Sequence, residues 1–328
     1  MLHRIKFLFC LALVGSQLAA QVRPKAIIFD SDMGPDYDDV GAIAMLHAFA
    51  DSGQIRLLAT VASTRYEGVA AVFNVFNTFF GRPGIPIGVP GDHASALKDR
   101  QHWTDTLLAR FPHRVRLNKE VPSAVTVYRK VLASQPDHSV TVVTTGFLTN
   151  LSDLLASRPD RYSDKTGLEL VRLKVKELVS MAGRFPSGSE FNVRIDAAAS
   201  RNVFINWPTP ILLSGFEIGN PIRTGIPLVR NENIRNSPVK DVFRISIPLD
   251  PQDSLGRMSW DETAVLVAVK GYKPWYSTRG GKMIVNEDGS NEWVPGDNSH
   301  SYLVEAQPPV IVERLINKLI QHQPLRGK

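Results

Sequence analysis

The chain predicts an α/β fold, an open and mainly parallel sheet with helices on both faces, from three observations. Short β-branched apolar runs alternate with helical patterns along most of its length, which is how strand–helix–strand units read. The first such run ends in a dense acidic turn, Asp30-Ser31-Asp32-Met33-Gly34-Pro35-Asp36-Tyr37-Asp38-Asp39, followed at once by an apolar helical stretch. No Ser/Gly linker, repeat or low-complexity tract divides the 328 residues, a length that suits one large domain.

The elements follow in order. Residues 26–29 (Ala-Ile-Ile-Phe) form the first strand, and residues 39–49 a buried helix. Further strands fall at 56–62, 85–89, 140–144, 177–181 and 209–213, with helices at 68–80, 124–133, 148–157 and 197–206. The acidic turn, Thr145 and Gly183 each come just after a strand, at the carboxyl edge where open α/β sheets gather ligands. After Pro227 the pattern changes. Residues 241–248 read as connecting structure, 261–269 as a helix opened by Asp261 and Glu262, 281–302 as a Gly/Asn/Trp-rich hairpin or loop, and 309–320 as a last helix.

Five carboxylates in ten residues need an explanation. Two of them about 4 Å apart at an effective dielectric of ~20 repel by about 4 kcal/mol, so a fold that collects several requires protons, strong donors or a cation. Oxygen-only ligation favours Ca²⁺ or Mg²⁺ over Zn²⁺, and the adaptable Ca²⁺ shell suits several aspartates plus water best.

These residues resemble the opening motif of the nucleoside hydrolase family, the inosine-uridine-preferring enzymes, roughly Asp-x-Asp-x-Gly-x-Asp-Asp before an apolar helix. Asp30, Asp32 and Gly34 match directly; two extra residues precede the acidic pair, which aligns with Asp38 and Asp39 and leaves Asp36 as an addition. Three more segments match in the same order: Val142 to Asn150 with its Thr145-Gly146 turn, Glu190-Phe191-Asn192, and Asp261 in Ser259-Trp260-Asp261-Glu262. The resemblance implies a calcium ion held by Asp32, Asp39, the Thr145 carbonyl and Asp261, and a furanose contacted by Asp38, Glu190, Asn192 and Asp261. It implies hydrolysis of the N-glycosidic bond of ribonucleosides, with Asp32 taking the proton of a calcium-bound water. Asp30 is expected to orient the cluster by hydrogen bonding, and Asp36 to be a solvated turn carboxylate.

The chain departs from the family at the leaving base. Where many members carry a histidine before the last aspartate, this chain has Trp260, which stacks on a base but donates no imidazolium proton. Asparagines after the second strand and upstream of Glu190 are missing too. His93 and His102, in the loop after the third strand, are the replacement candidates, with a surface role as their default. Trp275, Tyr276, Trp293 and His300 are better read as packing than as a base pocket, and His47 as a packed helix residue. A non-catalytic calcium-dependent nucleoside- or sugar-binding protein of the same fold is therefore the alternative. A phosphatase built on Asp-x-Asp would need Asp30 as nucleophile and a late positioned lysine that no segment supplies.

Residues 1–20 read as a secretory signal, with Arg4 and Lys6, the apolar run 7–14 and a small-residue end at Ala19-Ala20, so residues 21–328 are expected as the domain and a secreted or periplasmic location follows. Cys10, the only cysteine, lies in that leader, leaving no disulfide or thiolate chemistry downstream. Its removal lowers the formal charge from +6 to +4. Basic residues are dispersed among acidic ones, as a solvated surface rather than a nucleic-acid patch. No apolar run approaches the ~20 residues of a membrane span. The expected partner is a small nucleoside or riboside, with a homo-oligomer left open.

Overall fold

The structure, a computed structural model, describes residues 23–296 and 298–325; the proposed signal segment lies outside them. Its strands are β1 (Lys25–Ser31), β2 (Ile55–Ala62), β3 (Ile87–Gly88), β4 (Val140–Thr144), β5 (Val175–Met181), β6 (Ser187–Ser189), β7 (Ile211–Ser214), β8 (Arg223–Thr224), β9 (Arg257–Met258), β10 (Tyr276–Val285), β11 (Ser290–Val294) and β12 (His300–Glu305). Ten of them form one sheet in the order β3-β2-β1-β4-β5-β7-β12-β10-β11-β6, and β8 pairs with β9. From β3 to β12 the pairings are parallel; β10, β11 and β6 join antiparallel.

β1 shows why the central strands read as unbroken apolar runs. Ile27 and Phe29 point into one core and Ala26 and Ile28 into the other, because successive side chains alternate faces and both faces are covered. The helices Asp38–Asp51 and Trp260–Lys270 pack on one another and are buried along almost their whole lengths, so neither shows an amphipathic stripe.

The structure revises several boundaries. The strand expected at 85–89 shrinks to two residues, and the one at 209–213 runs instead over Ile211–Ser214. Residues 241–248 are not a connection: Pro238–Ser246 is a helix with Ser237 as N-cap, accepting from Lys240 N, and Pro238 in its first turn. That Ser-Pro start is a helix signal, and Val239, Val242 and Phe243 carry its buried face. The expected hairpin at 281–302 is β10–β11, while β12 returns to the main sheet beside β7.

Candidate active site

Parallel strands β1, β4, β5 and β7 end at Ser31, Thr144, Met181 and Ser214, and the residues just beyond them meet over one edge of the sheet. There a cavity of about 260 Å³ is lined by Asp32, Asp36, Asp38, Thr145, Glu190, Asn192 and Asp261, with Met181, Ser189, Phe191, Phe216, Gln252, Arg257, Met258 and Trp260 completing the wall.

The turn after β1 is tied down by its own chain. Thr145 N donates to the Asp30 carbonyl at 2.8 Å, which locks the turn after β4 against β1. A Cβ at Gly146 would collide with the Asp32 backbone and Ser63 Oγ, so only glycine allows that approach. Asp30, with no place in the cavity wall, accepts from Tyr128 Oη at 2.8 Å and Asn150 Nδ2 at 3.2 Å, and burial lifts its carboxyl to about 7.

Asp39 is fully buried behind the wall. Its Oδ1 accepts from Ser31 Oγ at 2.6 Å and Thr145 Oγ1 at 2.9 Å, while its Oδ2 has no partner. The Oδ2 of Asp32 is likewise buried and unpartnered. Burial raises Asp39 to about 6; burial and then the Asp39 charge push Asp32 well up, and burial and then Asp38 do the same to Asp261. Arg257, which also faces Asp32 and Asp261, is a single cation against several buried carboxyls, so most of the gathered charge is left uncompensated. Among the described residues, no three or more His, Cys, Asp or Glu side chains form a ready-made metal cluster. By chemistry, however, the set fits a hard cation: two orphaned carboxylate oxygens, a third aspartate in the same cavity wall and a peptide carbonyl, all oxygen.

Asp38, expected at a sugar hydroxyl, is engaged elsewhere. Its Oδ1 accepts from Arg257 Nε and Nη2 at 3.1 and 2.9 Å, and its Oδ2 from the backbone N–H groups of Trp260 and Asp261 at 3.1 and 3.2 Å. All four acceptor positions of the carboxylate are filled. Ser259 gives no side-chain cap to the helix Trp260–Lys270, so Asp38 reaches across from the other helix to satisfy its first N–H groups, where negative charge is favoured. Asp36, expected as a solvated turn carboxylate, is partly exposed and in addition forms an ion pair with Arg257.

Glu190 and Asn192 line the cavity but have structural duties as well. Glu190 caps the helix Phe191–Ile195, accepting from Asn192 N, Val193 N and Gly183 N, and burial raises it to about 7. Asn192 Nδ2 donates to the carbonyls of Thr145 and Met181, each at 3.2 Å. It thus fixes the peptide oxygen of Thr145 at the cavity edge.

Neither candidate histidine reaches the cavity wall. His93 pairs with Asp153 at 3.2 Å and His102 with Asp105 at 3.3 Å, both with largely exposed rings, because the loop after β3 runs over the outer surface. Trp260 does line the cavity; its Nε1 donates to the Phe216 carbonyl at 2.8 Å and its ring lies 5.2 Å from that of Phe216. Trp275 packs on one hydrophobic core and Trp293 on the other, where Trp293 meets Phe185 and Tyr302. His47 bonds Asn77 at 3.1 Å inside the core.

Sequence reading missed Arg257, which is almost wholly buried and stacks over Tyr37 and Trp260 at 4.9 and 5.0 Å. The available signal was a lone arginine four residues before the last aspartate. Asp253 lies within ion-pair distance at 3.7 Å only four residues before it, but Asp38 is 219 residues away, so nothing local announces that pairing.

Comparison with known proteins bears on the family and the fold. The profile of the inosine-uridine preferring nucleoside hydrolases matches residues 27–295. A pyrimidine-specific ribonucleoside hydrolase RihA of Klebsiella pneumoniae subsp. pneumoniae is 27% identical over 194 residues, a match that spans 57% of this chain and 59% of that protein. Among solved structures, a purine-preferring ribonucleoside hydrolase from Gardnerella vaginalis superposes with a TM-score of 0.70 at 18% identity, covering 90% of this chain and 99% of the other. The effector protein XOO4466 gives a TM-score of 0.71 at 15% identity, covering 92% and 94%. With the family profile spanning most of the length and the acidic turn, Thr145, Glu190, Asn192 and Asp261 gathered at one sheet edge, the chain belongs to the inosine-uridine preferring nucleoside hydrolase family.

Proposed function

We propose that this protein hydrolyses the N-glycosidic bond of ribonucleosides or related N-ribosides to ribose and free base, and that it does so with calcium. The observation that carries the reading is the pair of buried, unpartnered oxygens, Asp32 Oδ2 and Asp39 Oδ2, beside the cavity that Thr145 and Asp261 line. Asp32, Asp39, Asp261 and the Thr145 carbonyl would hold the cation, which when bound offsets the gathered negative charge and lowers the pKa of water in the cleft.

The remaining chemistry belongs to the chain. Water adds to the anomeric carbon as the C–N bond breaks, the bonding electrons pass to the base nitrogen, and the Asp32 carboxylate accepts the water proton. Carboxylates lining the cleft stabilise the positive charge that develops on the sugar. Trp260 supplies a flat apolar wall and no proton, so departure of the base depends on the base itself. Asp32→Asn should lower kcat by at least ~10²-fold, the scale of a lost general base, with nitrophenyl riboside as substrate. A nitrophenyl riboside turned over by Asp32→Asn at the wild-type rate would remove Asp32 from this role.

A second reading, a calcium-dependent nucleoside- or sugar-binding protein, is favoured by the tryptophan at position 260 and fits a likeness to a protein described as an effector. Absence of turnover for every riboside at saturating calcium, with binding retained, would select it.

A further inference from the structure

Ser189, Glu190, Phe191 and Asn192 line one wall of the cleft, and the segment around them carries, just outside that lining, two guanidinium groups that the chemistry above does not use. Arg184 lies over the ring of Phe216 at 5.0 Å and Arg194 over that of Phe191 at 5.9 Å, and both rings line the cavity. Both arginines are exposed, and neither forms an ion pair with a described residue, although the charge of Arg184 is felt by the half-buried Glu217. Arg257, by contrast, is spent on Asp36 and Asp38.

An exposed guanidinium resting on a phenyl face gains only about 0.5–1 kcal/mol. A charge-assisted bond to an oxyanion is worth about 1.5–3 kcal/mol, and the guanidinium fork matches carboxylate and phosphate geometry. The two side chains are therefore parked on weak partners beside a cavity whose wall includes Asp32, Glu190 and Asp261 and whose one basic lining residue, Arg257, is already paired. A negatively charged ligand would be repelled by Asp32, Glu190 and Asp261 unless these cations met it at the wall.

We infer, on the basis of the reading proposed above, that Arg184 and Arg194 form an anion-accepting wall and that the preferred ligands are ribosides bearing a negative charge outside the sugar ring. Two sources supply that charge: an acidic heterocycle that ionises near neutral pH, or a phosphate on the riboside. The first also accounts for the missing proton donor, because a base that is stable as an anion leaves without one.

The test compares matched pairs in calcium-containing buffer: xanthosine against inosine for an acidic base, and inosine 5′-monophosphate against inosine for a phosphate. Binding is read by calorimetry and turnover by kcat/KM, in the wild type and in Arg184→Gln/Arg194→Gln, whose melting curve checks the fold. The expected result is a preference of at least ~10-fold for the anionic member of one pair, identifying its source, which the double variant and high salt both reduce toward unity. Equal affinity within both pairs, or a preference undiminished in a folded double variant, would overturn the inference. If no riboside is turned over but the binding preference and its arginine dependence persist, hydrolysis fails as a function and the anion-accepting wall stands.

Discussion

At the scale of single residues, Arg257 and Asp38 show how a site residue is chosen by its partner. The guanidinium is almost wholly buried, and its proper countercharge is the carboxylate that also caps the helix Trp260–Lys270. Removing one member of a buried pair leaves an unpaired charge and typically costs about 3–5 kcal/mol. Arg257→Met should therefore lose stability on that scale in urea unfolding, and adding Asp38→Asn should restore part of it. Equal loss in the single and double variants would mean the pairing contributes little. His47 makes a different prediction. Burial and then Arg82 hold its imidazole down at about 3, below its ordinary 6.5. The unfolded chain then binds the extra proton over that interval, so the contribution is complete above about pH 6.5 and is lost progressively as pH falls toward 3, by a few kcal/mol at most. His47→Gln, whose amide replaces the donor to Asn77, should flatten the acid limb of stability measured from pH 7 to pH 4; an unchanged limb would assign it to other groups.

At the scale of elements, the site depends on how closely two buried helices approach. Gly41 of Asp38–Asp51 faces the Glu262 carboxyl of Trp260–Lys270 so tightly that a Cβ there overlaps the carboxylate. Gly41 is ordinary helix, and glycine is demanded by the approach, not by its conformation. Gly41→Ala should gain helix propensity yet lose about 1–3 kcal/mol net through overpacking, and should weaken calcium binding because it displaces Asp39 from Asp261. Calorimetry on chelator-stripped protein reads the second effect. A more stable variant with unchanged calcium affinity would show that the helices are free to move apart.

At the scale of the whole molecule, the acidic turn, the turn after β4 and the start of the helix Trp260–Lys270 come from segments more than a hundred residues apart. A cation that joins them must stabilise the folded chain over the unfolded one. At calcium a hundred-fold above its dissociation constant the gain is about 2.7 kcal/mol, which for a chain of this size is a rise of several degrees in Tm. Scanning calorimetry with and without chelator measures it. Coincident melts in the two conditions would remove calcium from the folded state.

Much of this arrangement was legible in the chain. The unbroken apolar run of β1 implied a strand covered on both faces, and the turn signals after it implied a sheet edge rich in carboxylates, because local periodicity and turn chemistry are properties of neighbouring residues. The helix at Pro238–Ser246 carried its own Ser-Pro start and was legible in principle. What the sequence did not determine was which carboxylate is free and which is spent. Asp32 and Asp38 are alike as residue types, yet one keeps an oxygen without a partner and the other has all four acceptor positions filled. The difference lies in Arg257, in the N–H groups of a distant helix and in the exclusion of water, and only tertiary packing brings those to the same place.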